Sequence, residues 1–169
     1  MSQIPEPISS IYNELSTEIT WLHGRWIVYR QLFAKSEERI ELLNEAASAF
    51  FYIIQDVLLG DVQISLSKLT DPKSSGGFEN LSLEQLQYRV GQHGDSGLAL
   101  RTREILDKLK VKTEPFRKGR NKSLAHLDLA TSMKSNIDPL PGISRQMIED
   151  ALLLVRVFMN EIESYLMIR

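Results

Sequence analysis

The sequence contains no cysteine, and none of its uninterrupted apolar stretches approaches the roughly 18 residues of a membrane-spanning helix. Without cysteine the chain can form neither a disulfide framework nor a thiolate metal site. The N-terminus, M-S-Q-I-P-E-P, lacks the positive segment and apolar run of a secretory signal. These absences predict a soluble cytoplasmic protein with no membrane partner.

The common motifs of metal and nucleotide sites are also missing. The sequence has no H-E-x-x-H pair, no glycine-rich phosphate loop and no His/Asp/Glu cluster with metal-ligand spacing. We therefore expect neither a metal nor another cofactor.

Charge is distributed unevenly along the chain. The net charge of −2 excludes a protein that is basic over its whole surface. Between Lys108 and Lys122, however, seven basic residues stand against one acid, Glu114. A local basic region on a slightly acidic body is typical of a protein that binds phosphate at one place. The alternative interpretation is a solvated helix face.

Apolar residues recur at spacings of three and four along most of the chain, which predicts an all-α fold. The 169 residues suffice for one core, and no repeat or linker divides them. We predict a single domain, residues 1–169, built as a bundle of about five helices, with residues 1–8 as a flexible arm.

Capping residues predict where several helices begin. Ser36, Ser82 and Ser144 each precede a periodic apolar segment, as N-caps do, and Gln85 completes a capping box with Ser82. The segment from Gly60 to Leu69 alternates like a strand, but the chain offers no second strand, so we predict a helix bent at Gly60. The residues expected in the core include Trp21, Trp26, Phe50 and Val57.

Breakers predict two loops, T-D-P-K-S-S-G-G at residues 70–77 and G-Q-H-G-D-S-G at residues 91–97. Thr113, followed closely by Pro115, is typical of a helix start. We expect this last helix to carry the stretch from Arg117 to Asp128, R-K-G-R-N-K-S-L-A-H-L-D, and a preceding helix to end near Lys110.

Arg120 lies on an apolar stripe of that predicted helix, in one arc with Leu124 and Leu127. An arginine in such a position pairs with a buried acid, extends to solvent along its stem, or binds an anion in a groove. His126 lies about 120° around the same helix. Within one chain the two side chains therefore do not share a face.

Arg120 and Asn121, followed after four residues by His126, resemble the signature of the HEPN superfamily: an arginine, a polar residue, and a histidine four to six residues after the arginine. The chain from Trp26 to Asp128 is similar to the abortive-infection branch, through segments such as A-F-F-Y-I-I-Q, S-K-L-T-D-P and R-N-K-S-L-A-H-L-D. The resemblance implies a helical bundle, a metal-independent ribonuclease of a toxin or antiviral system, and a homodimer. It also implies an antitoxin or regulatory protein as a partner, although Asp128 replaces the tyrosine that nucleotidyltransferase antitoxins modify.

The residue types suit RNA cleavage through the RNA's own 2′-hydroxyl. His126 can act as general base or acid, and Arg120 can clamp the phosphate. Asn121 would hold Arg120 or the scissile group, and Asp128 would pair with a basic neighbour. The residues expected to follow the RNA backbone are Arg117, Lys118 and Lys122.

Two functions remain open from the sequence. The first is an endoribonuclease of a bacterial toxin or abortive-infection system, and the second is a non-catalytic HEPN module that binds RNA or a partner protein. In-line cleavage needs both a base and an acid, yet the motif supplies one histidine. We therefore expect a homodimer along the motif helices, in which a second copy completes the site.

Overall fold

The computed structural model describes residues 6–93, 95–121 and 142–168. In these residues the chain forms five helices and one short hairpin, which confirms the predicted all-α class. The elements are α1 Glu6–Phe33, α2 Glu37–Leu69, β1 Ser74–Ser75, β2 Phe78–Glu79, α3 Leu83–His93, α4 Ser96–Gly119 and α5 Arg145–Ile168.

The three predicted serine caps are confirmed. Each hydroxyl accepts a hydrogen bond of 3.2 or 3.3 Å from the backbone N–H three residues later. The capping box at α3 is only half formed, because the Gln85 side-chain amide donates to Glu79 at 3.0 Å instead of reaching back to Ser82. The cap positions could therefore be predicted from the neighbouring residues in the sequence. The partner of Gln85 could not, because it lies in the preceding hairpin.

Residues 6–8, predicted as part of a flexible arm, belong to α1, which begins at Glu6, and Ile8 is fully buried. The segment from Gly60 to Leu69 is helical, as predicted, but α2 does not bend at Gly60. Its one departure from helical dihedral angles is at Ala47, with φ −166° and ψ 73°. The position of this bend has no signal in the local sequence, since alanine is the best helix former.

The helix predicted to end near Lys110 continues to Gly119. Asp95, which was not predicted as a cap, opens it by accepting a 2.7 Å hydrogen bond from the Leu98 N–H. Thr113 and Pro115 do not start a new helix but lie inside α4. A proline removes one backbone hydrogen bond from a helix interior, and here the packing of α4 tolerates that loss.

The core lies where α4 packs against α5, α2 and α3, and where α1 packs on α2 and α3. Trp26 is buried there and stacks on Tyr29 with ring centroids 5.0 Å apart. The predictions for Trp21, Phe50 and Val57 were wrong, because all three are more than half exposed. Their helical periodicity indicated an apolar face without indicating what covers it.

The loop predicted at residues 70–77 contains the hairpin turn. Gly76 and Gly77 have φ of 57° and 85°, and they connect Ser75 directly to its partner Phe78. Two-residue hairpin turns of this kind need positive φ at both central residues, which glycine adopts without strain.

Candidate functional site

A tight turn at the end of α2 fixes a hydroxyl and a carboxylate beside α4. The Thr70 N–H donates to the Ser67 carbonyl oxygen at 3.3 Å, and the Asp71 N–H donates to the Lys68 carbonyl oxygen at 3.0 Å. Pro72 follows and cannot continue the helix, because it has no N–H and disfavours helical backbone before it. Thr70 and Asp71 are therefore held at one position by the backbone.

Two buried hydroxyls join this turn to α4. The Oγ1 atoms of Thr70 and Thr113 are 3.1 Å apart, and neither residue is more than 1% exposed. Thr113 also donates to the Leu109 carbonyl oxygen, one turn earlier in α4, at 3.0 Å. Because buried hydroxyls have to be hydrogen-bonded, this contact fixes the end of α2 against the middle of α4.

Arg117, one turn after Thr113, binds the same turn with both terminal nitrogens. Its Nη1 donates to Asp71 Oδ1 at 3.0 Å. Its Nη2 donates to the Thr70 carbonyl oxygen at 2.6 Å and to Thr70 Oγ1 at 3.0 Å. Arg117 thus closes the C-terminal end of α2 and aligns the Asp71 carboxylate.

Arg120 shares that carboxylate. Its Nη1 donates to Asp71 Oδ1 at 3.0 Å and to Oδ2 at 2.9 Å, and its Nε donates to Asn121 Oδ1 at 3.1 Å. The remaining nitrogen, Nη2, has no hydrogen-bond partner in the part of the chain that the structure describes. Contacts with described residues therefore orient the guanidinium through two of its three nitrogens.

The charges of this cluster do not cancel. Two arginines face one carboxylate, which leaves one positive charge, and the three side chains are 19–26% exposed. At this depth a charge is screened by water less than on an open surface. The cluster can therefore attract an anion.

The family comparison agrees with this fold and motif. The sequence model of the HEPN_AbiU2 family, described as AbiU2, matches residues 6–167. The chain belongs to this family. It is therefore a HEPN-type abortive-infection domain protein, as the resemblance implied. No curated protein and no solved structure matches it.

Among the predicted residues of the HEPN motif, the structure places Arg120 and Asn121 side by side at the end of α4. His126, Asp128 and Lys122 lie outside the described residues. The roles predicted for these three residues consequently stay predictions.

The predicted basic region is partly neutralised in the structure, since three acids face four of its seven basic residues. The acids that pair with it come from other elements: Glu84 with Lys110, Asp150 with Lys112, and Asp71 with the two arginines. Lys108 and Lys118 have no ion pair with any described residue. Among the described residues of this region, these two lysines and the Arg120 cluster therefore keep positive charge that no acid cancels.

Reasoning from the sequence missed Asp71, Thr70 and Thr113 as parts of the site. Asp71 lies in T-D-P, a pattern that indicates only a loop, and Thr113 before Pro115 has the pattern of a helix cap. One signal was available, because Arg120 on an apolar stripe needs an acid. The sequence could not identify which acid, since Asp71 lies 49 residues away in the chain.

Proposed function

We propose that this HEPN protein is a metal-independent endoribonuclease of a bacterial toxin or abortive-infection system, which cleaves RNA through its own 2′-hydroxyl. The observation that supports the proposal is the state of Arg120. Asp71 and Asn121 orient its guanidinium, and among the described residues Nη2 has no acceptor. A fixed guanidinium with an open edge is suited to a phosphoryl oxygen, whose negative charge grows in the transition state.

In this proposal Arg120 clamps the scissile phosphate and Asn121 positions Arg120. His126 takes the 2′-hydroxyl proton or gives a proton to the departing 5′-oxygen, and Asp128 pairs with a basic neighbour. The 2′-oxygen attacks phosphorus as the bond to the 5′-oxygen breaks. The products are a 2′,3′-cyclic phosphate and a free 5′-hydroxyl.

The roles proposed for the flanking basic residues differ. Lys118 is exposed and unpaired among the described residues, which favours contact with the RNA backbone, and Lys122 is assigned the same role from the sequence. Arg117 uses both terminal nitrogens on Thr70 and Asp71. We therefore assign Arg117 to holding the Asp71 carboxylate, which orients Arg120, rather than to contacting RNA.

One observation favours the second candidate, a non-catalytic module that binds RNA or a partner protein. Arg120 already has a carboxylate partner, so the motif arginine could serve to join α4 to α2. The two candidates differ in whether Arg120 is needed only for folding or also for turnover.

The test is incubation of single-stranded RNA with purified protein in the presence of a chelator, followed by analysis of the product ends. We expect cleavage with 2′,3′-cyclic phosphate ends and no cleavage of DNA. Arg120→Lys, which keeps the charge but loses the fork of donors, should abolish activity. Arg101→Lys is the matched control, because Arg101 lies on the same helix and is also ion-paired, with Glu161.

Intact RNA at high protein concentration, with binding retained, would support the non-catalytic module. Activity that disappears with chelator and returns with magnesium would contradict the metal-independent mechanism.

A further inference from the structure

A cavity between α1 and α5 has the size of a small-molecule site. Its volume is about 490 Å³, and small-molecule sites typically measure roughly 300–1,000 Å³. Both helices line it with polar side chains, which are Tyr12, Ser16, Thr20 and His23 from α1 and Arg156, Asn160 and Glu163 from α5. None of these residues belongs to the Arg120 cluster.

Most of these polar groups are not used by the fold. Five of the side chains form no hydrogen bond or ion pair with any described residue, and they are Tyr12, His23, Arg156, Asn160 and Glu163. Elsewhere on α5, by contrast, Asp150 is paired with Lys112 and Glu161 with Arg101. Single exposed polar side chains are normal on a protein surface, but here five of them surround one space. They form a set of donors and acceptors that a ligand in the cavity can bind.

The charges are separated along the cavity. Burial and then the charge of Arg156 lower the pKa of His23, whereas burial and then the charge of Glu163 raise the pKa of the Tyr12 hydroxyl. Arg156 is therefore close to His23, and Glu163 is close to Tyr12. Seven residues separate Arg156 from Glu163 in α5, which is about 10 Å along the helix. The cavity thus has a cationic end and an acidic end.

Gly24 provides independent evidence for a ligand. It lines the same cavity and lies inside α1, a helix of 28 residues. A glycine inside a helix is less favourable than alanine. No described atom lies within 4 Å of the position that a Cβ at Gly24 would occupy, so contacts among the described residues do not require glycine. Close approach of a ligand to the backbone does require it.

The two ends of the cavity select different chemical groups. The forked guanidinium of Arg156 is suited to a phosphate, and no hydrogen bond to a described residue prevents the His23 ring from turning toward the same anion. An ionised carboxylate such as that of Glu163 only accepts hydrogen bonds, so it needs N–H or O–H donors. Guanine has two adjacent N–H donors, which match the two carboxylate oxygens. The thioether of Met159, which also lines the cavity, makes favourable contacts with aromatic rings.

We propose that this cavity binds a guanosine 5′-monophosphate group. The phosphate binds Arg156 beside His23 and Gly24, the base lies against Met159, and its N–H groups donate to Glu163. The group belongs either to the free nucleotide, GMP, or to the 5′-phosphorylated end of an RNA strand. The site is independent of the ribonuclease function proposed for the Arg120 cluster.

The first test is isothermal titration calorimetry of the full chain with GMP. We expect one site per chain with a sub-millimolar dissociation constant, and weaker binding of guanosine and of inorganic phosphate. Arg156→Gln and Glu163→Gln should each weaken GMP binding at least about tenfold, because each removes hydrogen bonds to a charged group. Glu161→Gln is the matched control on the same helix, because Glu161 does not line the cavity, and this variant should keep the affinity of the wild type.

The second test uses Gly24→Ala, which separates binding from folding. The variant should raise the melting temperature, because alanine favours the helix, and yet weaken GMP binding, because the new methyl group occupies the cavity wall. Gly91→Ala is the matched control. Gly91 also lies inside a helix, α3, and no described atom lies within 4 Å of its Cβ position, but it does not line the cavity. This variant should raise the melting temperature and leave GMP binding unchanged.

A third titration with a short RNA that begins with 5′-phosphoguanosine identifies the source of the ligand. Affinity equal to that of GMP would assign the cavity to the end of an RNA strand, and at least tenfold weaker binding would assign it to the free nucleotide.

Three results would overturn the proposal. The first is no binding at millimolar GMP. The second is GMP binding that Arg156→Gln, Glu163→Gln and Gly24→Ala all leave unchanged, which would place the nucleotide elsewhere. The third is inorganic phosphate binding as tightly as GMP, which would reduce the cavity to a simple anion site.

Discussion

At the scale of single residues, both arginines at the end of α4 converge on the Asp71 carboxylate. Arg117 aligns Asp71 with the turn after α2, and Asp71 in turn orients Arg120. Neither arginine has a second carboxylate among the described residues. Removal of Asp71 would therefore leave two neighbouring cations, partly shielded from water, that repel each other.

We expect Asp71→Asn to lower the free energy of unfolding by about 2 kcal/mol, between the values typical of exposed and buried ion pairs. RNA cleavage should fall as well, because Arg120 loses the contact that fixes its geometry. Urea denaturation and the cleavage assay measure the two effects. Asp150→Asn, which breaks an exposed pair with Lys112, is the control and should change neither. Equal behaviour of the two variants would mean that Asp71 is an ordinary surface acid.

A second residue-scale prediction concerns His23, between α1 and α5. Burial, and to a smaller extent the charge of Arg156, lowers the pKa of His23. Tyr12 and Glu163 line the same cavity as His23. Because the pKa of His23 is lower in the folded protein than in the unfolded chain, the unfolded chain binds the proton more readily. The stability contributed by neutral His23 is thus complete above the unfolded pKa of about 6.5 and is lost as the pH falls towards the folded value.

The melting temperature should accordingly drop as the pH is lowered from 7 to 5, and His23→Gln should flatten this drop. Thermal denaturation at a series of pH values measures it. His93→Gln, at the exposed end of α3, is the control. An unchanged pH profile in His23→Gln would show that other groups cause the pH dependence.

At the scale of elements, local patterns predicted most of the helices and few of their contacts. The serine caps and the periodicity of α1, α2 and α5 could be deduced from the sequence because they depend on residues three or four apart. The continuation of α4 through Pro115 could not, because it depends on packing against α2 and α5. The same applies to Thr113, which has the sequence pattern of a cap but is hydrogen-bonded to Thr70 in the turn after α2.

That contact gives a prediction for the attachment of α2 to α4. Thr113→Val keeps the side-chain shape but removes the hydroxyl, and we expect it to cost about 1 kcal/mol of unfolding free energy. Thr20→Val is the matched control, because the Thr20 hydroxyl also donates to its own helix but is exposed and has no bond to another helix among the described residues. Urea unfolding should separate the two variants. A loss as small as that of Thr20→Val would argue against the contact between Thr70 and Thr113.

At the scale of the whole molecule, the fold redistributes charge that is clustered in the sequence. The region from Lys108 to Lys122 contains seven basic residues and one acid, a local excess of positive charge that is typical of a phosphate-binding site. In the described part of that region the fold brings Glu84, Asp150 and Asp71 against the basic side chains. A count along the sequence could not include these acids, because each lies at least 26 residues away from its partner. The sequence reveals the Arg120 motif because its residues are close together in the chain. It does not reveal Asp71, the carboxylate partner of Arg120, because Asp71 is distant in the chain.

The salt dependence of RNA binding tests which of these cations contacts phosphate. On a single strand, each phosphate contact contributes about 0.7 to the slope of log K against log salt. Lys118 is exposed and has no ion pair among the described residues, so Lys118→Ala should reduce the slope by about that amount. Lys112 is the matched control: it lies on the same helix but is paired with Asp150 at 3.0 Å, and Lys112→Ala should leave the slope unchanged.

Fluorescence anisotropy with labelled RNA over a range of salt concentrations measures both slopes. Equal reductions would mean that the pair between Lys112 and Asp150 opens to bind RNA, and no reduction in either variant would place the RNA away from α4.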